Sequence, residues 1–348
     1  MLMGKVKNQH YVPRSYLKYF SNNKEQVWVY DKEINKFFNT NIANVAAEKY
    51  FYDIPFEEIY NILPQKDREK INDIMKEGNF ASIQELEKSG KQIIEKFFAE
   101  NIEGMFEKAL NKIRVSFNMM SSPFYSQVLS KKDRIQLSLM LALQIVRSKE
   151  FRESHSESIQ SITQAIVDVI ASSHEDEYEL GSITAKAQYE FESLEHADII
   201  LSDFPIRLAE ILSSHIWFVG VNQTKLPFYT SDDPVVKRAH KHHPFLGTDG
   251  YGSPGIEIAL PLSDQLILVL VEREYHSLLS FWENRFIPLT NKQNIIYYNS
   301  LQVYQSNRQI YCSKRSFKLI NEMKRTEGSL ERKPRKMVVN SFLGKNIY

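Results

Sequence analysis

His10 and Arg14 stand four residues apart near the start of the chain, in Gln9-His10-Tyr11-Val12-Pro13-Arg14. An imidazole there could take or give a proton near neutral pH, and a guanidinium beside it could hold an anion. Pro13 fits the first position of a helix, whose free N–H groups also favour anions. Gln144 and Arg147 lie three apart in a strongly apolar stretch. On a helix they are neighbours, and a buried amide and guanidinium must both find partners. Asp232 and Asp233 close the segment Thr230-Ser231-Asp232-Asp233-Pro234. A carboxylate after a strand suits a general base or a metal ligand, whereas Asp233 before proline reads as an Asx turn. Glu103 falls on the flank of an apolar helical stripe and could reach a cleft; Glu100 and Glu107 point away from it and read as solvated.

These residues define a candidate site. His10, Arg147 and Asp232 form its catalytic set, and Tyr11, Arg14, Gln144 and Ser231 its substrate contacts. The chemistry they suggest is hydrolysis of a phosphodiester, most concretely by a nuclease acting on RNA or DNA. His10 or Asp232 would serve as acid or base, and Arg147 with Arg14 would stabilise the developing phosphate charge. Glu103 and Asp232 could hold a divalent metal, Mg or Mn, though the scheme does not require one. Two other readings stay open. The same set could bind a ligand or nucleic acid without catalysis, or it could be a buried network that fixes the fold.

Other clusters read more plainly. His240-Lys241-His242-His243 has the donors for a metal but sits in a Gly- and Pro-containing loop with no cysteine nearby, so it reads as solvent-facing. Tyr50, Tyr52, Trp217 and Tyr229 could stack on bases, but aromatics beside strands are more often core. There is no Walker A loop, Gly-rich dinucleotide turn, nucleophile elbow or H-E-x-x-H. Kinases, dehydrogenases and zincins that depend on those motifs are disfavoured.

The elements that would position these residues can be read from periodicity. Arg14–Phe20 reads as a short helix or turn, and residues 26–31 and 36–41 as a hairpin. From about Phe56 to Leu212 the apolar period is helical. Ser130-Lys131-Lys132-Asp133 resembles a capping box and opens a helix expected over 131–152, apolar on nearly every side and hence central. A second helix is expected over 159–171, a loop over 174–178, and one or two helices over 184–214 with a break at Pro205. Strands are expected at 216–221, 228–230, 256–260, 265–271 and 309–312, a loop over 237–255, and a helix from Asn291 to about Asn307. The expected fold is therefore α+β, a mainly helical core over about 56–212 with a small N-terminal β-hairpin and a C-terminal antiparallel or mixed sheet. One α+β domain is expected over 1–312, divided into a hairpin region 1–55, the helical region and a β-rich region 213–312. A basic extension, 313–348, would follow.

Four blocks carry a resemblance. They are Gln9–Arg14 with Tyr16, Leu17, Lys18 and Phe20; Gln144–Arg147; Phe228–Val235; and Pro261-Leu262-Ser263 with Asn299 and Arg308–Tyr311. The chain resembles domain-of-unknown-function family 4238, known for its HYVP motif, and departs from it at Asp233, where the family more often has Asn. The resemblance implies one domain built from all four blocks and no particular reaction.

Composition bounds the rest. The net charge is +1, from 44 basic and 43 acidic residues, which globally favours neither nucleic acid nor membrane. From Arg308 onward, however, eleven Lys and Arg face only three acids. The single cysteine, Cys312, cannot form an internal disulfide or a thiolate zinc site and fits a reducing compartment. No apolar run approaches the ~18 residues of a membrane span, and the first residues lack the apolar core of a secretory leader. The expected location is the cytoplasm.

Overall fold

The computed structural model describes residues 6–119, 127–173, 183–184, 189–241, 248–332, 339–340 and 346–347. The chain is α+β, as expected, with small N-terminal sheets and a mixed five-stranded sheet towards the C-terminus. It forms two compact units, one of residues 1–51, 95–149 and 199–332 and the other of 52–94, 150–198 and 333–348.

The first unit opens with β1 (Asn8–His10), α1 (Arg14–Leu17), β2 (Gln26–Asp31), β3 (Lys36–Asn41) and β4 (Ala47–Lys49). β1 pairs antiparallel with β4, placing His10 opposite Ala47. β2 and β3 form the expected hairpin, whose residue bounds match the sequence reading. In the second unit come α2 (Phe56–Ile62), α3 (Gln65–Glu77) and α4 (Ile83–Gly90). There Glu87 caps the N-terminus of α2 by accepting from the Glu57 N–H at 3.0 Å.

The chain continues through α5 (Ile93–Phe97), a π-helical turn Phe98–Ile102 and α6 (Glu103–Asn118). Next is α7 (Lys131–Arg147), whose start follows the capping logic: Ser130 accepts from the Asp133 N–H and its hydroxyl donates back to the Asp133 carboxylate at 2.7 Å. Residues 140–147 of α7 are all buried, so the helix is central to the first unit. It ends at Arg147 rather than running to 152. Ser148 is extended, and its N–H and hydroxyl both turn back to the Ile145 carbonyl. α8 (Lys149–Ser172) restarts at once, followed by α9 (Tyr189–Leu201) and α10 (Phe204–Ser214). Pro205 lies in the first turn of α10, where its missing N–H costs nothing, and α10 packs on α7. The expected loop at 174–178 lies outside the described residues.

The remaining strands are β5 (Ile216–Asn222), β6 (Thr230–Ser231), β7 (Val236–Ala239), β8 (Ile256–Pro261), β9 (Leu266–Val271) and β10 (Phe286–Leu289). Then come α11 (Lys292–Gln305), β11 (Gln309–Cys312) and α12 (Lys318–Glu327). The five-stranded sheet has the order β10-β5-β9-β8-β7 and is antiparallel except for β10 beside β5. β5, β8 and β9 are buried at every residue, the pattern of strands covered on both faces. Gly220 is needed there: a Cβ would come within 2.7 Å of Leu289 and 2.9 Å of Ile267. A second, four-stranded antiparallel sheet has the order β3-β2-β11-β6 and joins the N-terminal hairpin to the end of the chain.

Among the elements the sequence did not suggest are β7, β10 and α12. β7 occupies the start of the expected loop, because Val236-Lys-Arg-Ala239 carries too little alternation to read as a strand. β10 contains Pro288, which is tolerated because β10 is the edge of its sheet. α12 buries Ile320 and Met323 with Phe317 against Tyr229, Val303 and Ile310.

Candidate functional site

α7 points its last two polar side chains at the segment that leaves β1. Gln144 Nε2 donates to the Tyr11 carbonyl at 3.0 Å, and Arg147 Nη2 to the His10 carbonyl at 2.6 Å. The same Arg147 nitrogen reaches Glu103 Oε1 at 3.1 Å, and the guanidinium lies over the Phe98 ring, 4.0 Å from its centroid. In a regular α-helix residues five apart point about 140° from each other. The π turn between Phe98 and Glu103 closes that gap and turns both towards one guanidinium. Arg147 is only 2% exposed, whereas the Glu103 side chain is 35% exposed.

The imidazole of His10 is mostly buried. Burial, then the positive charge of Arg14, lowers its pKa below the ordinary 6.5; Glu103 and a hydrogen bond to the Ile42 backbone pull the other way. Nε2 is buried and has no partner among the described residues. The bond to Ile42 therefore comes from Nδ1–H, which leaves the lone pair of the neutral ring on Nε2. Arg14 points outward, with an exposed ion pair to Glu25 at 3.3 Å.

Ser231 ends β6 of the four-stranded sheet, and Asp232 follows it, its N–H donating to the Gln309 carbonyl at 3.0 Å. The Ser231 hydroxyl lies 2.7 Å from Gln302 Oε1 and 2.8 Å from the Asp233 carbonyl. Asp232 Oδ2 accepts the N–H groups of Arg308 and Gln309, both at 2.7 Å, while Oδ1 is buried without a partner among the described residues. Burial pushes the Asp232 carboxyl up to about 6, against the pull of those N–H groups and of Lys32. Tyr311, wholly buried, donates to Gln309 Oε1 at 2.9 Å. Its ionisation is suppressed by burial, then by the charges of Asp232 and Tyr11.

His10, Tyr11, Glu103, Gln144 and Arg147 are thus brought together, with Ser231 and Asp232 in an adjoining network and Arg14 facing solvent. Glu103 and Asp232 are not joined into a metal site. Each is engaged by donors, and among the described residues no three His, Cys, Asp or Glu side chains gather. His240 Nε2 lies 2.6 Å from the buried Glu257 carboxylate, which raises its pKa. His242 and His243 lie outside the described residues. Glu100 and Glu107 are exposed, and Tyr52, Trp217 and Tyr229 are core.

Several contributors were not foreseen. Asp31, 1% exposed, accepts from Arg308 Nε at 2.8 Å and Gln309 Nε2 at 2.9 Å. Lys32, 4% exposed, donates to the Ser306 carbonyl at 2.7 Å. A lysine after a strand reads as surface, and nothing in its neighbourhood in the sequence marks it as buried. Phe98 and Ile42 act through a ring face and a carbonyl, which residue type does not advertise.

The four sequence blocks are stitched to one another here. Besides the bonds from α7, the Tyr16 hydroxyl bridges Thr230 Oγ1 at 2.7 Å and the Pro261 carbonyl at 2.6 Å, and Asn299 Oδ1 accepts the Tyr229 N–H at 2.8 Å. An α+β protein whose N-terminal HYVP segment is held by a Gln and an Arg from a buried helix is the class this defines. The chain belongs to the family described as "Protein of unknown function (DUF4238)", whose model matches residues 8–316. Among curated proteins and solved structures nothing matches the chain. No helix among the described residues is long and apolar enough to cross a membrane.

Proposed function

We propose that the protein hydrolyses phosphodiesters, as a nuclease does, with His10 as general base. The carrying observation is the buried Nε2 of His10, without a protein partner among the described residues, on a ring whose other nitrogen is tied to Ile42. A neutral imidazole so oriented can accept a proton from an attacking water. Arg14 and Arg147 add positive charge around it, suited to an anionic substrate. Arg14 is the group that can meet a phosphate, because its exposed pair with Glu25 is weak and exchangeable. Arg147 is a positioning residue: it is buried and grips the His10 carbonyl. The basic excess after Arg308 would add affinity for nucleic acid.

The test is incubation of purified protein with single- and double-stranded RNA and DNA, with and without Mg²⁺ or Mn²⁺. His10→Ala is expected to lower cleavage by about 10²–10⁴-fold. Absence of cleavage by the natural protein, or equal cleavage by the variant, ends this reading.

One observation favours a second reading. The last two polar side chains of α7 end on backbone carbonyls, those of Tyr11 and His10, as in a lock that fixes the N-terminal strand. In that case Gln144→Ala and Arg147→Ala lower the melting temperature, and the protein shows no turnover of any nucleic acid.

A further inference from the structure

A cavity of about 250 Å³ opens between α11, α12 and the segment that leads into β6. Its walls are largely apolar, from Leu226, Pro227, Ile296, Leu319 and the Tyr229 ring. Two of the polar groups that reach it are already satisfied. Asn299 accepts from the Tyr229 N–H at 2.8 Å and donates to the Pro227 carbonyl at 2.9 Å, and the Tyr229 hydroxyl donates to the Ser316 carbonyl. An occupant therefore meets mainly apolar surface inside, with Ser316 as a further polar residue.

The mouth is different. Lys292 and Lys318 both line it, with Glu322 as the acid. Glu322 is 3.8 Å from Lys318, while Lys292 has no acidic partner among the described residues. One ammonium group thus lines an apolar hollow somewhat smaller than the ~300–1,000 Å³ of drug-sized ligand sites.

We infer that this cavity binds a small amphipathic anion, an apolar body of the length of a medium-chain acyl group with one carboxylate at the mouth. The body displaces water from Leu226, Ile296 and Leu319, and the carboxylate faces Lys292. The site is separate from His10 and does not depend on the proposed hydrolysis. Its inner wall is Tyr229, the residue before β6, so occupancy stiffens the strand that precedes Asp232.

Octanoate is the probe, with octanol as its uncharged counterpart, measured by titration calorimetry and by melting temperature. Saturable octanoate binding is expected, with octanol at least about tenfold weaker and a rise in melting temperature that follows occupancy. Leu319→Trp fills the hollow and abolishes binding. Lys292→Glu lies at an exposed first turn, where a carboxylate suits the helix, so it folds and still weakens octanoate. The inference is overturned by the absence of saturable octanoate binding, by equal binding of octanol, or by octanoate affinity unchanged in Lys292→Glu.

Discussion

At the scale of single residues, the two groups with shifted proton affinity point to different experiments. His10 is held neutral chiefly by burial, with Arg14 adding to it. A base of this kind works only when unprotonated. The plot of kcat/KM against pH should therefore rise and level off with a midpoint below 6.5, the ordinary imidazole value. A midpoint above 6.5 would mean that Glu103 outweighs burial. Asp232 has the opposite shift. Its unfolded carboxyl ionises from 3.8 upward, whereas the folded one keeps its proton to about 6. Between those values the unfolded state binds fewer protons, so stability falls as pH rises. Below 3.8 both states are protonated, and above about 6 the loss is complete. Asp232→Asn removes this slope and keeps an oxygen for the Arg308 and Gln309 N–H groups. The unfolding free energy of the variant should gain on the natural protein between pH 4 and 7, by on the order of 2–3 kcal/mol at most. A difference that stays flat over that range would show an unshifted carboxyl. Both residues were singled out from sequence by type and setting alone. Their proton affinities were not legible, because the surroundings of such sites are assembled from segments distant in the sequence, as Arg147 is from His10 and Arg308 from Asp232.

At the scale of elements, α7 and the π turn that faces it do the positioning. Arg147 is buried, and its guanidinium engages a carbonyl, a carboxylate and a ring. Arg147→Ala leaves the His10 carbonyl and the inner oxygen of Glu103 unanswered, and should cost about 3–5 kcal/mol, read from urea denaturation. Glu103→Gln should cost much less, since that side chain is 35% exposed and water can replace it. If the two variants were equally destabilised, the pair would be acting as a surface ion pair. The helix itself was legible because its apolar residues recur on all sides and Ser130 opens it. Its end was not. Serine is unremarkable inside a helix, and the stop at Ser148 depends on hydrogen bonds back to Ile145 that compete with one more turn. The π turn was invisible for a similar reason: the stripe through Ile94, Phe98, Ile102 and Phe106 fits a plain α-helix equally well.

At the scale of the whole molecule, the strands of the two larger sheets were mostly legible and their partners were not. β2, β3 and β11 have the bounds that alternation suggests, but nothing local says that β11 inserts between β2 and β6. That pairing ties the expected strand 309–312 into the sheet, and α12, within the stretch read as a basic extension, buries side chains beside it. The family match stops at residue 316, immediately before Phe317. Yet Phe317, Ile320 and Met323 are buried against Tyr229, Val303, Ile310 and Cys312. Each such side chain is worth ~1.5–3 kcal/mol when fully buried, so the three together contribute roughly 5 kcal/mol or more. Domains of this kind are stable by only about 5–15 kcal/mol. A chain ending at Cys312 should therefore fail to give a cooperative melt. Because truncation can fail for trivial reasons, Ile320→Asp in the full chain is the companion variant, and a clear loss of melting temperature is expected from a charge placed at a fully buried position. If the chain ending at Cys312 melts as the full chain does, α12 is a cover rather than part of the core, and the cavity beneath it should then lose octanoate without loss of fold.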